Sequence, residues 1–168
     1  MKRVFLLFAS LVLFSSALSA QLLCGSAAGC RWQTVYSAPS AATSGNTSIP
    51  SSTMVTPSGD TNYVLTVYIA QTVATAGCTE KPTLQPKVIY TDADSGVSTT
   101  FKVPMWSHLA IAWQAPLNLE AVAAGTGAGS VSFRAKGGTT VSYLVAAVGG
   151  SGCTNQGTYV ARPVLVQQ

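Results

Sequence analysis

The fold of this chain is decided by the stretch Asn62-Tyr63-Val64-Leu65-Thr66-Val67-Tyr68-Ile69-Ala70-Gln71-Thr72-Val73. Its large apolar residues occupy every second position at Tyr63, Leu65, Val67 and Ile69. Successive side chains of a β-strand point to opposite faces of the sheet. The alternation therefore predicts a half-buried strand, with Val64, Thr66 and Tyr68 on the other face.

The same period of two recurs along the rest of the chain. It predicts further strands at residues 87–91, 97–103, 131–135, 141–145 and 159–166. Turn-forming residues separate two pairs of these strands, in Asp92-Ala93-Asp94-Ser95-Gly96 and Lys136-Gly137-Gly138-Thr139. Pro163 lacks an N–H group and favours an edge strand. Residues 104–116 fit strand and helix spacing equally well, so both interpretations stay open there.

About eight short strands with turn residues between them predict an all-β protein, an antiparallel β-sandwich of jelly-roll type. The expected organisation has three parts. A signal peptide occupies residues 1–20, a lead-in segment with Cys24 and Cys30 occupies residues 21–52, and the sandwich domain occupies residues 53–168.

Export is predicted by the first twenty residues. Lys2 and Arg3 precede an apolar run at residues 4–14, and Ala17-Leu18-Ser19-Ala20 supplies small residues for cleavage before Gln21. The run is shorter than the roughly 20 residues that span a bilayer. We therefore expect a secreted or periplasmic protein without a membrane span.

Charged residues make up only 8% of the chain, against about a quarter in an average protein. Beyond the signal peptide the basic residues are scattered at Arg31, Lys81, Lys87, Lys102, Arg134, Lys136 and Arg162. Nucleic-acid binding requires a basic patch or stripe. The charge pattern therefore excludes nucleic acid as the expected partner.

Four cysteines follow the signal peptide, and an even number in an oxidising compartment predicts two disulfides. Three pairings are possible. We favour Cys24 with Cys30 and Cys78 with Cys153, because the second pair follows predicted strands in the matching segments Ala76-Gly77-Cys78-Thr79 and Ser151-Gly152-Cys153-Thr154. A metal site is disfavoured because the chain has no C-x-x-C spacing and a single histidine, His108.

Two segments resemble a known family. They are the segment from Thr56 to Tyr68, with a turn at Gly59-Asp60 before the alternating strand, and the hairpin from Val131 to Val141. Both are similar to the C1q and tumour-necrosis-factor-like jelly rolls, including bacterial and phage-associated ones. The resemblance implies a compact binding head that forms trimers. The chain departs from the family pattern at Asn62, where a glycine is expected before the tyrosine.

No catalytic constellation is recognised, so we expect a non-enzymatic protein without a cofactor. His108 adjoins Ser107, but neighbouring strand residues point to opposite faces and cannot share a proton. Gly149-Gly150-Ser151-Gly152-Cys153 lacks the last glycine of a nucleophile elbow. Gly125-Thr126-Gly127-Ala128-Gly129 lacks the lysine of a phosphate-binding loop.

Asp92 and Asp94, followed by Gly96, are similar to the start of a calcium-binding loop, in which alternate carboxylates converge on one cation. The remaining ligands are missing from the sequence. We favour an Asx-type hairpin turn and keep calcium binding as the alternative.

The aromatic residues separate two functional hypotheses. Large aromatics most often fill a core or an interface, which suits a structural or interaction module that assembles through a sheet face containing some of Tyr63, Tyr68, Tyr143 and Tyr159. The alternative is a carbohydrate-binding domain that uses exposed Trp32, Trp106, Trp113 and Tyr68. The expected partners are accordingly the chain itself as a homotrimer, an extracellular protein, or a glycan.

Overall fold

The structure is a computed structural model, and it describes residues 32–80, 82–107, 117–118 and 126–168. The predicted signal peptide lies outside the described residues. So do four residues that the sequence singles out: Cys24, Cys30, His108 and Trp113. In the described part of the chain no helix is long and apolar enough to cross a membrane.

The described residues form a sandwich of two antiparallel sheets, which confirms the predicted all-β fold. The strands are β1 Gln33–Ser37, β2 Thr43–Ser44, β3 Ile49–Val55, β4 Thr61–Val73, β5 Thr83–Thr91, β6 Ser98–Lys102, β7 Trp106–Ser107, β8 Leu117–Asn118, β9 Thr126–Ala135, β10 Val141–Val148 and β11 Thr158–Gln167. Sheet 1 has the order β1-β11-β4-β9-β7, with β2 beside β11. Sheet 2 has the order β3-β10-β5-β6, with β8 beside β5. The long strands mostly alternate between the sheets along the chain, as in a jelly roll.

Strand β4 has the predicted alternation. Its inward residues Tyr63, Leu65, Val67 and Ile69 are all buried, whereas Thr66 and Tyr68 face outward. Burying a large aliphatic side chain contributes about 1.5–3 kcal/mol. The three aliphatic residues on this face therefore anchor the centre of sheet 1 against sheet 2.

Tyrosines fill much of the space between the sheets. Tyr63, Tyr143 and Tyr159 are almost completely buried, and burial raises the pKa of Tyr143 to about 12. The Tyr159 hydroxyl donates to the Thr47 carbonyl at 2.7 Å. Of the two expected positions for the large aromatics, a core or an interface, Tyr63, Tyr143 and Tyr159 therefore occupy the core, because these rings pack inside one sandwich. Of the four tyrosines named for a sheet face, only Tyr68 is exposed.

The position of Pro163 corrects another expectation, because β11 is an interior strand that lies between β1 and β4. Ala161 N–H donates to Ser40 Oγ at 3.0 Å, and the nitrogen two residues later points to the same side of the strand. On that side β1 ends at Ser37 and β2 begins at Thr43. The missing N–H of Pro163 therefore faces the break between two short strands, where it costs no ladder hydrogen bond.

The connection between β6 and β7 crosses from sheet 2 to sheet 1 and covers one side of the sandwich. Val103 N–H donates to the Pro86 carbonyl at 2.9 Å, and Val103 is fully buried. The backbone of Pro104 then passes so close to Gly129 that a Cβ there would collide with the Pro104 carbonyl oxygen. The sequence left strand and helix open for residues 104–116. Of these, residues 106 and 107 form strand β7, and residues 108–116 lie outside the described residues.

Part of the expected lead-in segment contributes strands to both sheets. Strand β1 pairs with β11 in sheet 1, and β3 pairs with β10 in sheet 2. Between them, Ser40 N–H donates to the Ala161 carbonyl at 2.8 Å. From Gln33 onward, the N-terminal segment is thus hydrogen-bonded into the sandwich.

Candidate functional site

Sheet 1 carries a row of four side chains that run across its strands on the face turned away from sheet 2. The register aligns Arg162 of β11 with Tyr68 of β4, Tyr68 with Ala128 of β9, and Ala128 with Trp106 of β7. Directly paired residues of neighbouring strands project from the same face. We call these four residues the aromatic row, and the surface that contains them the outer face of sheet 1.

Both aromatic members of the row reach solvent, because Tyr68 is 38% exposed and Trp106 is 44% exposed. They are two strand spacings apart, which is about 10 Å. Ala128 lies between them and has only a methyl side chain. The row therefore has two large rings with a low, flat floor between them.

Hydroxyl groups lie beside the aromatic row. The next aligned row contains Val164, Thr66 and Ser130, and the one beyond it contains Val166, Val64 and Ser132. The Thr66, Ser130 and Ser132 side chains are exposed. Each hydroxyl donates one hydrogen bond and accepts up to two. The outer face thus offers polar contacts next to the rings.

The charged residues in the described strands of sheet 1 are two arginines, Arg134 and Arg162. None of the described strands of sheet 1 contains an aspartate or a glutamate. Arg162, at one end of the aromatic row, has no ion-pair partner among the described residues. Arg134, near the end of β9, is instead engaged by Asp94 at 2.5 Å and lies 3.9 Å from Asp60. Arg162 is therefore the cation available to a ligand beside the rings.

The Asp92 turn has the geometry of an Asx turn. Asp92 Oδ1 accepts the N–H of Ser95 at 2.8 Å, the Ser95 hydroxyl at 2.8 Å and the N–H of Asp94 at 3.2 Å. The Ser95 N–H is the main cause that lowers the pKa of Asp92. Asp94 pairs with Arg134. Both carboxylates of the calcium candidate are thus engaged by the protein's own donors, and the described residues contain no group of three metal-ligating side chains.

The opposite end of the sandwich contains the disulfide Cys78–Cys153, which confirms that predicted pair. The two Gly-Cys-Thr segments run antiparallel beside each other, with Ala76 paired to Asn155. At Gly77 a Cβ would collide with Thr154, and at Gly152 a Cβ would collide with Thr79. The repeated sequence thus produces a reciprocal contact, in which each glycine makes room for the threonine of the other segment. The Cys24 and Cys30 pairing lies outside the described residues.

Other exposed aromatics lie away from the row. Trp32 immediately precedes β1 and is 57% exposed. Phe101 of β6 in sheet 2 is 46% exposed and lines an open groove of about 440 Å³ together with Gln85, Thr100, Lys102 and Pro104. Sequence reasoning grouped Tyr68 and Trp106 with Trp32 and Trp113 as candidate ligand contacts, and it missed Phe101, Ala128 and Arg162. The outward position of Tyr68 in β4 was the available signal.

The comparisons with known proteins show no family. No family model matches the chain, and no curated protein matches it. The chain is similar to a structure of infectious bursal disease virus Gt strain, with 10% identity, 82% of this chain and 41% of that chain covered, and a TM-score of 0.24. For the Gx strain the values are 12%, 82%, 39% and 0.21. The chain spans about two fifths of those viral chains. Similarity at this level indicates nothing about function.

Proposed function

We propose that this chain is an exported, non-enzymatic binding module that holds its partner on the outer face of sheet 1. The observation that carries the proposal is the aromatic row, in which Tyr68 and Trp106 stay exposed in one line across the sheet. Large aromatic side chains are normally buried, and most tyrosines of this chain follow that rule. Two exposed rings in register on a rigid sheet are a surface suited to recognition.

The distribution of ionisable groups supports binding over catalysis. Hydrolytic chemistry brings a nucleophile, a base and an orienting group together. On the outer face, the side chains beside the rings are hydroxyls and Arg162, and the strands of sheet 1 that the structure describes contribute no carboxylate. The Asp92 and Asp94 carboxylates accept hydrogen bonds from their own turn and from Arg134.

The disulfide supports export. Disulfides persist in oxidising compartments such as the periplasm and the extracellular space. Cys78 and Cys153 join two loops that are 75 residues apart. Export also agrees with the start of the sequence, where two basic residues precede an apolar run.

Self-assembly is the competing use of the same face, because the family resemblance implies a homotrimer. Both uses are tested by comparing the wild-type chain with Tyr68→Ala and Phe101→Ala. Phe101 is a matched control, since it is similarly exposed but belongs to sheet 2. We measure mass by light scattering over a range of protein concentrations, and retention on a panel of immobilised polysaccharides.

The proposal expects Tyr68→Ala to change the mass or the retention, and Phe101→Ala to change neither. A mass near three chains that falls to one in Tyr68→Ala identifies self-assembly as the use of the face. If the folded Tyr68→Ala variant matches the wild type in both measurements, the outer face is not the binding surface. Turnover of a substrate that His108→Ala abolishes, with the fold intact, overturns the non-enzymatic assignment.

A further inference from the structure

We infer that the ligand of the outer face is an acidic polysaccharide, whose sugar rings stack on Tyr68 and Trp106 and whose carboxylate pairs with Arg162. This inference rests on the proposed function and names the partner of that same face. Three properties of the face carry it: the spacing of the rings, the hydroxyls beside them, and the sign of the charge.

The ring spacing suits an extended chain of sugars. The π-face of an aromatic ring is negative, so it attracts the slightly positive C–H groups on the flat side of a pyranose ring. Tyr68 and Trp106 are about 10 Å apart, a separation of the order of that between alternate rings of an extended polysaccharide. The sugar between them would lie over Ala128, whose methyl group leaves room for it. The four-residue row thus accommodates about three consecutive sugars.

The protein's hydroxyl groups beside the aromatic row suit the hydroxyl-bearing edges of those sugars. A stacked pyranose directs its own hydroxyls sideways, toward the groups beside the aromatic ring. Thr66 and Ser130 occupy that position next to Tyr68 and Ala128. Because these hydroxyls are exposed in the free protein, they exchange water for sugar hydroxyls without breaking a hydrogen bond inside the fold.

The charge favours an acidic sugar over a neutral one and over a second copy of the chain. Arg162 ends the row beside Tyr68, and a guanidinium group binds a carboxylate in a bidentate geometry. Without Lys2 and Arg3 of the expected signal peptide, the chain has seven basic and five acidic residues and a formal net charge of +2. A second copy that docked through the same face would bring Arg162 to a surface whose described strands contain no acidic residue, so the contact would lack charge complementarity.

Affinity electrophoresis tests the inference with the full processed chain. The protein migrates through native gels that contain polygalacturonate or, in parallel, a neutral soluble cellulose derivative. Tyr68→Ala and Arg162→Gln are the test variants. Phe101→Ala and Lys102→Gln are the matched controls, since they remove an exposed ring and an exposed cation from sheet 2. Thermal unfolding verifies that each variant is folded.

We expect the wild type and both controls to be retarded by polygalacturonate more than by the neutral polymer. Tyr68→Ala should weaken the apparent affinity about tenfold, as expected for the loss of one stacking ring. Arg162→Gln should weaken it about threefold and reduce its salt dependence, in the range of an exposed ion pair.

Three results would overturn the inference. Equal retardation by the two polymers would remove the role of charge, and an effect of Lys102→Gln as large as that of Arg162→Gln would indicate nonspecific attraction of a cationic protein. No retardation at all would exclude the glycan. If in that last case Tyr68→Ala still changes the mass in solution, the proposed function survives with the chain itself as partner; if it does not, the proposed function fails too.

Discussion

Removal of the Cys78–Cys153 disulfide should destabilise the protein mainly through the unfolded state. The bond joins the β4–β5 connection to the β10–β11 connection over a sequence separation of 75 residues. In the chain-entropy model, closing a loop of that length restricts the unfolded chain by about 4.5 kcal/mol. A domain of this size has an unfolding entropy of about 0.3 kcal/mol/K, so the double variant Cys78→Ser/Cys153→Ser should melt about 15 °C lower.

The folded structure should survive the change, because the two segments keep their other contacts. Ala76 and Asn155 exchange both backbone hydrogen bonds, at 3.0 and 3.2 Å, and Glu80 N–H donates to the Ser151 carbonyl at 3.2 Å. The circular dichroism spectrum at 20 °C should therefore match that of the wild type.

Guanidinium unfolding of the wild type and the double variant measures the effect. The free energy of unfolding should fall by about 4.5 kcal/mol, and the m-value should rise because the chain without the cross-link exposes more surface when it unfolds. A loss below about 1 kcal/mol, or an unchanged m-value, would refute the argument that the bond acts on the unfolded chain.

Three further predictions concern single positions. Gly129→Ala should cost more than about 3 kcal/mol of unfolding free energy, because its Cβ meets the Pro104 carbonyl. The control Gly59→Ala has open space around its Cβ and should change the unfolding free energy by no more than about 0.5 kcal/mol. Equal losses of the two variants in chemical denaturation would contradict this. The pKa of the Asp92 carboxyl is lowered from 3.8. The carboxylate should therefore stabilise the fold fully above pH 3.8 and lose this effect as the pH falls through its lowered pKa. Melting curves of Asp92→Asn should converge with those of the wild type in acid. Tyr143, with a pKa raised from 10.0 to about 12, should make the fold less stable as the pH rises from 10 to 12, and Tyr143→Phe should flatten that part of the alkaline stability curve.

Local patterns in the sequence predicted the parts of the fold that depend on neighbouring residues. The alternation from Tyr63 to Ile69 predicted the buried face of β4, because strand periodicity is a property of one segment. The matching Gly-Cys-Thr segments predicted the Cys78–Cys153 bond. The Asp, Ser and Gly residues after β5 predicted a tight turn between two strands, where the structure has the Asx turn.

The candidate site could not be predicted in the same way, because it depends on register between distant strands. Trp106, Ala128 and Arg162 join Tyr68 only through three strand pairings, and no pattern within β7, a strand of two residues, indicates its partner. The same reason explains why the sequence left Tyr143 and Tyr159 open between a core and a subunit interface. Their alternation indicated that one face is buried, but it did not distinguish the second sheet of the same molecule from another subunit.

Chemical-shift mapping of the isotopically labelled protein shows whether the outer face of sheet 1 binds a partner, since it reports the backbone amides of the 17.2 kDa chain at once. Amide spectra are recorded during titration with short polygalacturonate oligomers and, separately, across a dilution series of the protein alone. We expect the largest shifts in at least one series on the middle of β4, β9 and β11, around Thr66, Tyr68, Ala128 and Arg162. Shifts that fall instead on β5, β6 and β10 of sheet 2, or on the turns at either end of the sandwich, would contradict it.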